Sequence, residues 1–135
     1  MQSHAYVAIV TLLALLLYFW MGLQVGRQRG KCGIAAPAMT GDPVLERCIR
    51  AHYNTLEWLP IFLPSLWLFA IYWSSTVAAA LGAVWIVGRI IYFLGYKAAA
   101  EKRRPGFAIQ AAAASALLIG ALGRVIYLIA INGIR

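Results

Sequence analysis

Two groups of residues in this sequence have the types and the spacing to do chemistry. Arg50, Asn54 and Glu57 fall at i, i+4 and i+7, so on a helix they lie within about 60° of one another. Arg89, Tyr92, Tyr96 and Arg103 follow at intervals of 3, 4 and 7, and on one straight helix they also share a stripe about 60° wide. Together the stripes offer guanidiniums for carboxylates, a carboxylate for an amine, and amide and phenol groups for peptide bonds. That set complements a small zwitterionic peptide with carboxylates at both ends. A proton relay would need chains of carboxylates and histidines across the whole span. A channel would need rings of equivalent groups along a pore.

The elements that position these residues are membrane helices. The chain has 135 residues, of which 63% are hydrophobic and 12% charged, with a mean hydropathy of +0.77. A soluble domain would carry roughly a quarter charged residues. Four apolar spans of about 20 residues use up most of the length, giving an all-α, integral membrane four-helix bundle as one domain over 1–135. The expected helices cover about 5–25, 43–73, 77–104 and 106–131. Tyr6 to Val25 has no basic segment before it and is followed by Arg27, Arg29 and Lys31, which marks a retained helix and not a cleaved signal. Gly30, Gly33, Pro37, Gly41 and Pro43 break the next stretch into a loop. Asp42-Pro43 then starts the second helix as N-cap and first helical residue, and Pro60 and Pro64 predict a bend within it. AAAEKRR extends the third helix beyond the membrane until Pro105-Gly106 stops it. The small residues of the fourth helix predict close packing in the interior.

The net charge is +8, but it flanks apolar spans instead of covering a soluble face, which excludes nucleic acid as a partner. Arg27, Arg29, Lys31, Arg47 and Arg50 surround the first loop, and Lys97, Lys102, Arg103 and Arg104 the third. By the positive-inside rule these loops are cytoplasmic and both termini lie on the opposite side, with the clusters also suited to anionic lipid. Cys32 and Cys48 then sit where thiols stay reduced, and their spacing makes neither a disulfide framework nor a metal site. Glu57 lies about 10 Å inward of Arg50 and Arg89 about 12 Å inward of Lys97, so the two can meet at one depth, within one subunit or across two. Taken singly, each residue has a plainer reading. Arg50 fits an interfacial anchor, Asn54 a helix–helix hydrogen bond, Glu57 with Arg89 a structural pair, and Tyr92 and Tyr96 an aromatic belt. Arg124, deep in the fourth span, fits a snorkelling or subunit-interface role. Those readings leave two polar stripes at matching depth unexplained.

The segments ERCIRAHYNTLEWLPIFL and RIIYFLGYKAAAEKRRP resemble the MAPEG family, the membrane-associated proteins of eicosanoid and glutathione metabolism. R-x-x-Y-F-x-G-Y followed by Arg103, with Thr55 after Asn54, is nearer the branch of the microsomal glutathione transferases and cysteinyl-leukotriene synthase. The loop GIAAPAMTGD is bacterial in style. The resemblance implies a homotrimer with glutathione, as co-substrate, bound between subunits, and a lipophilic electrophile arriving from the bilayer. It assigns glutathione contacts to Arg29, Arg50, Asn54 and Glu57, and to Tyr92 and Tyr96 from the adjacent subunit, with Arg89 beside them. It assigns stabilisation of the glutathione thiolate to Arg103, since a thiol of pKa about 8.5 is mostly protonated at neutral pH until a permanent cation favours the thiolate. Two positions depart from the leukotriene branch. Trp58 stands where that branch has a glutathione-contacting tyrosine, and Gly30 where it has a second arginine tied to its epoxide substrate. The departures favour a broader glutathione transferase or peroxidase, with detoxification as its setting. The alternative is a non-catalytic lipid-binding scaffold like the lipoxygenase-activating protein, which has no use for an arginine at Arg103.

Overall fold

The computed structural model describes residues 4–133, and its order is α1 (Ala5–Cys32), α2 (Pro43–Tyr72), α3 (Ser75–Ala98), a 3-10 turn (Ala100–Arg103) and α4 (Arg104–Asn132). Each of the four helices is long and apolar enough to cross a membrane. Leu12, Leu16, Phe19, Ile71, Val87, Ile119 and Ile126 project outward, all more than half exposed. An outward apolar shell of this kind suits lipid and not water, and the chain is an integral, multi-pass membrane protein.

α1 runs two turns further than Val25, where the sequence pattern ends it. Gly26 and Gly30 do not stop it, because a glycine weakens a helix without breaking its hydrogen bonds. Gly33 does stop it, in the left-handed region at φ 72°, with its N–H bonded to the Arg29 carbonyl. Arg29 and Lys31 in the last turn complement the negative end of the helix dipole. α2 starts as expected: the Asp42 carboxylate accepts from the Leu45 N–H at 2.9 Å, and Pro43 fills the first turn. The Gln28 amide donates to the same carboxylate at 3.0 Å and ties the end of α1 to the start of α2. α2 continues without a break through Pro60 and Pro64.

The junction of α3 and α4 differs from the expected straight helix. α3 ends at Ala98, Ala99 is extended (φ −163°, ψ 147°), and a short 3-10 turn leads directly into α4. Pro105 and Gly106 therefore begin the fourth helix and do not end the third. The physical reason is proline: inside a continuing helix its ring would clash with the carbonyl four residues back, whereas in a first turn its missing N–H costs nothing. Gly106 then lies against the backbone of Tyr92, and Gly88 against the backbone of Gln110. These contacts let α3 and α4 approach closely, as small residues do in membranes. One face of α4 (Gln110, Ala113, Ala114, Leu117 and Ala121) is buried. Its remaining small residues do not place it in the interior of the single chain, since Leu118, Ile119 and Leu122 face outward.

The core is stapled by aromatic pairs. Phe62 of α2 and Trp85 of α3 stack with centroids 4.0 Å apart, and Trp20 of α1 meets Phe93 of α3 edge-on at 5.3 Å. A methyl group at Gly106 would collide with the Tyr92 main chain, which cannot swing aside as a side chain can. Gly106→Ala is therefore expected to cost about 1–3 kcal/mol through overpacking. The check is a lowered thermal midpoint in detergent, compared with Gly123→Ala, where an added Cβ meets nothing within 4 Å.

Candidate functional site

The site is built upward from a buried cation. Arg89 of α3 is fully buried, and both terminal NH₂ groups donate to the Asn54 side-chain oxygen on α2, at 2.9 and 2.6 Å. Its guanidinium carbon lies 4.4 Å from the Tyr92 ring centroid and 5.8 Å from that of Trp85. The expected meeting of Glu57 with Arg89 is not made in the single chain. Among the described residues Arg89 takes Asn54 as its hydrogen-bond partner, while Glu57 is exposed. Three residues further on, the α2 backbone has turned by about 60° from the Asn54 direction, enough to carry Glu57 off the α3-facing side.

Above this floor a cavity of about 370 Å³ opens, lined by Arg50, Asn54, Tyr92, Tyr96, Arg103 and Phe107. Five of these are residues singled out from the sequence. Tyr92 and Tyr96 meet edge-to-face at 5.6 Å. Arg50 and Tyr92 line the same cavity within one chain, so the pocket takes shape without the third helix of a neighbour. Arg103 reaches it by a route the straight-helix reading does not contain. The 3-10 turn folds back, so that the Arg103 guanidinium sits 5.1 Å from the Tyr96 ring centroid and bonds to the Ala100 carbonyl at 3.0 Å.

Two predicted residues are not brought to this cavity in the single chain. Glu57 is one. Arg29 is the other: it donates to the Ile34 and Ala38 carbonyls at 3.3 and 2.6 Å and so holds the first loop. Three residues at the site are additions to the sequence reading. Phe107 lines the pocket and packs edge-on against Trp58 at 5.7 Å, so Trp58 supports the wall from behind. Arg47 donates to the Lys97 carbonyl through Nε at 3.4 Å and Nη2 at 3.1 Å. That carbonyl is one of those the end of α3 leaves unpaired, and Arg47 thereby anchors the point where the chain turns. Gly95 lets the Lys102 carbonyl come against its Cα. Only the Arg-Pro-Gly-Phe run at 104–107 could have hinted at Phe107; nothing in the local spacing distinguishes Arg47 from its basic neighbours.

Chemically, the cavity presents two exposed guanidiniums at its mouth, two phenols on its wall and an amide carbonyl already committed to Arg89. It can hold carboxylates and stabilise an anion. Among the described residues no group of three or more His, Cys, Asp or Glu side chains is arranged to hold a metal ion.

The fold and this pocket define a small four-helix membrane protein with an arginine- and tyrosine-lined cavity at one end, and the sequence matches such a family. The chain belongs to the MAPEG family, whose profile matches residues 7–130. It is 53% identical over 115 residues to an uncharacterised protein of Synechocystis, covering 85% of this chain and 84% of that one. Over 117 residues it is 42% identical to human microsomal glutathione S-transferase 2, covering 86% of this chain and 80% of the relative. Leukotriene C4 synthase of Cavia porcellus is 40% identical over 99 residues, 73% of this chain and 66% of that enzyme.

The Arg47 anchor generates a prediction about the turn that carries Arg103. Arg47→Ala should raise hydrogen exchange at the amides of 99–103 by about tenfold, the scale set by losing a charged hydrogen bond. Exchange within α1 should stay as it is. Protection of the turn unchanged in Arg47→Ala would show that the anchor does not hold it.

Proposed function

We propose that this chain is a membrane-bound glutathione transferase that activates the glutathione thiol for attack on lipophilic electrophiles. The observation that carries this reading is the convergence of Arg50, Asn54, Tyr92, Tyr96 and Arg103 on one cavity. Family membership and the likeness to proteins named as a glutathione transferase and a leukotriene C4 synthase support it. The donor set fits glutathione: guanidiniums match its two carboxylates, and phenols match its peptide bonds.

In this reading Arg50 binds a glutathione carboxylate and the two tyrosines hold the peptide. Arg89 acts through Asn54, fixing that side chain's oxygen so that its amide N–H groups point to the ligand. Arg103, a permanent cation, stabilises the thiolate. The thiolate attacks an electrophilic carbon, a sulfur–carbon bond forms, the leaving group departs with its bonding electrons, and the thiol proton goes to water. With a lipid hydroperoxide the thiolate instead attacks the terminal oxygen, a sulfur–oxygen bond forms as the O–O bond breaks, and the alkoxide leaves and takes a proton to become the lipid alcohol. A second glutathione then converts the resulting sulfenic acid to the disulfide and water.

The active assembly is a homotrimer. Glu57, exposed on a membrane helix of the single chain, supports this, because an uncovered carboxylate at that depth costs several kcal/mol. A neighbouring subunit covers it, and Arg29 and Glu57 complete the site across that boundary. The basic residues flanking the first and third loops support a cytoplasmic mouth for the pocket.

Purified protein mixed with glutathione, followed by ultraviolet difference absorbance at the thiolate band, tests the reading. A thiolate signal and conjugation of a chlorodinitrobenzene-type substrate are expected. Absence of both would sink it. Arg103→Ala should keep glutathione binding and lose turnover by about 10²-fold or more, the scale of removing one electrostatic stabiliser. Turnover that survives the change would move thiolate activation elsewhere, with Arg29 the next position to test.

A further inference from the structure

α4 carries one charged residue between Pro105 and Gly133, and that residue is Arg124. It lies at the opposite end of the bundle from the polar pocket. Its Nε donates to the carbonyl of Tyr72, the last residue of α2, at 3.2 Å. Tyr72 is 22 residues beyond Arg50 on the same helix, a rise of about 33 Å, close to the thickness of the hydrocarbon core. The guanidinium therefore stands at headgroup level in the far leaflet.

The surroundings of Arg124 form a cradle. Its guanidinium carbon is 5.0 Å from the Trp73 ring centroid and 5.7 Å from that of Tyr127. The Trp73 indole N–H donates to the Gly120 carbonyl at 2.7 Å, which pins that ring to α4. Trp73, Gly123, Arg124 and Tyr127 line a cavity of about 290 Å³. A side chain at Gly123 would meet nothing within 4 Å, so the glycine keeps open a space that a larger residue would fill.

The chain offers this cation no side-chain carboxylate. Its acidic side chains number four, Asp42, Glu46, Glu57 and Glu101. Asp42 and Glu46 are at the start of α2, Glu101 is in the turn beside the polar pocket, and Glu57 lies about 22 Å short of Tyr72 along α2. Among the described residues no carboxylate reaches this end of the bundle. We propose that Trp73, Gly123, Arg124 and Tyr127 form a headgroup site for one anionic phospholipid in the leaflet opposite the polar pocket.

Three observations select this ligand. A guanidinium matches a phosphodiester in geometry as well as charge. Trp73 and Tyr127 are exposed rings at interface level, where such residues meet headgroups, and the outward Leu122 and Ile126 offer apolar surface to the acyl chains. Arg124 already lies against both rings, and its charge repels a second cation, such as choline or ethanolamine, brought into the same cradle. A headgroup without its own cation fits best.

The test is native mass spectrometry of the full chain in detergent, titrated with phosphatidylglycerol or phosphatidylcholine of matched acyl chains. Wild type is expected to retain phosphatidylglycerol about tenfold better at one site per chain. Arg124→Gln should abolish that preference, and Gly123→Leu, which keeps the cation and fills the cavity, should weaken it. Arg104→Gln, in the basic cluster at the other end, should leave it unchanged. The proposal is overturned if Arg124→Gln, or Gly123→Leu where the first variant does not fold, binds phosphatidylglycerol as wild type does. It is also overturned if Arg104→Gln alone removes the preference, or if inorganic phosphate at matched concentration displaces the lipid and so defines a soluble-anion site.

Discussion

Placing a full positive charge inside a membrane-spanning bundle is the constraint around which this molecule is arranged. Arg89 is completely buried, and taking an ion from water into such surroundings costs several kcal/mol unless it is hydrogen-bonded and well paired. The pairing chosen is a neutral one. One amide oxygen accepts two charge-assisted hydrogen bonds, and the ring faces of Tyr92 and Trp85 add cation–π attraction. Since Trp85 in turn stacks on Phe62, the charge locks the register of α2 against α3 over several turns. The polar pocket inherits its floor from that lock.

The pocket's mouth is set by a different device. A third helix that ran straight on through AAAEKRR would carry Arg103 about 10 Å beyond Tyr96. The chain instead leaves the helix at Ala99, and the turn lies back against Gly95. Arg47 holds the carbonyl exposed by that departure. A cation that the straight reading puts outside the membrane is returned to the rim of the cavity, over the Tyr96 ring.

Much of this was legible in the sequence, and the misses have physical causes. Four helices followed from apolar length alone, and the start of α2 followed from Asp42-Pro43, because a cap is a local interaction between near neighbours. The pairing of Arg50 with Asn54 on α2, and of Tyr92 with Tyr96 on α3, is readable because helical period fixes which residues of one helix share a face. The end of α1 is not legible because a glycine stops a helix where it takes the left-handed conformation, as Gly33 does and Gly26 and Gly30 do not. Depth and opposite charge match Glu57 to Arg89, yet azimuth decides contact, and Asn54 has the better azimuth. Arg47 and Phe107 were invisible because their roles depend on the break at Ala99. Such a break arises from contacts between helices, and no periodicity within one helix reports it.

The Arg89–Asn54 bond also bears on how the chain is made. α2 is the least apolar of the four spans, and it leaves the ribosome before α3. Its amide waits 35 residues for the guanidinium, which at about 5–20 residues per second is roughly 2–7 s of synthesis. During that interval the α2 amide has no guanidinium to pair with. Once Arg89 is made, the bond joins the two spans as a hairpin through the interaction that forms the base of the cavity. The pairing that shapes the site is thus also the first polar tie available between these two spans as the chain is made.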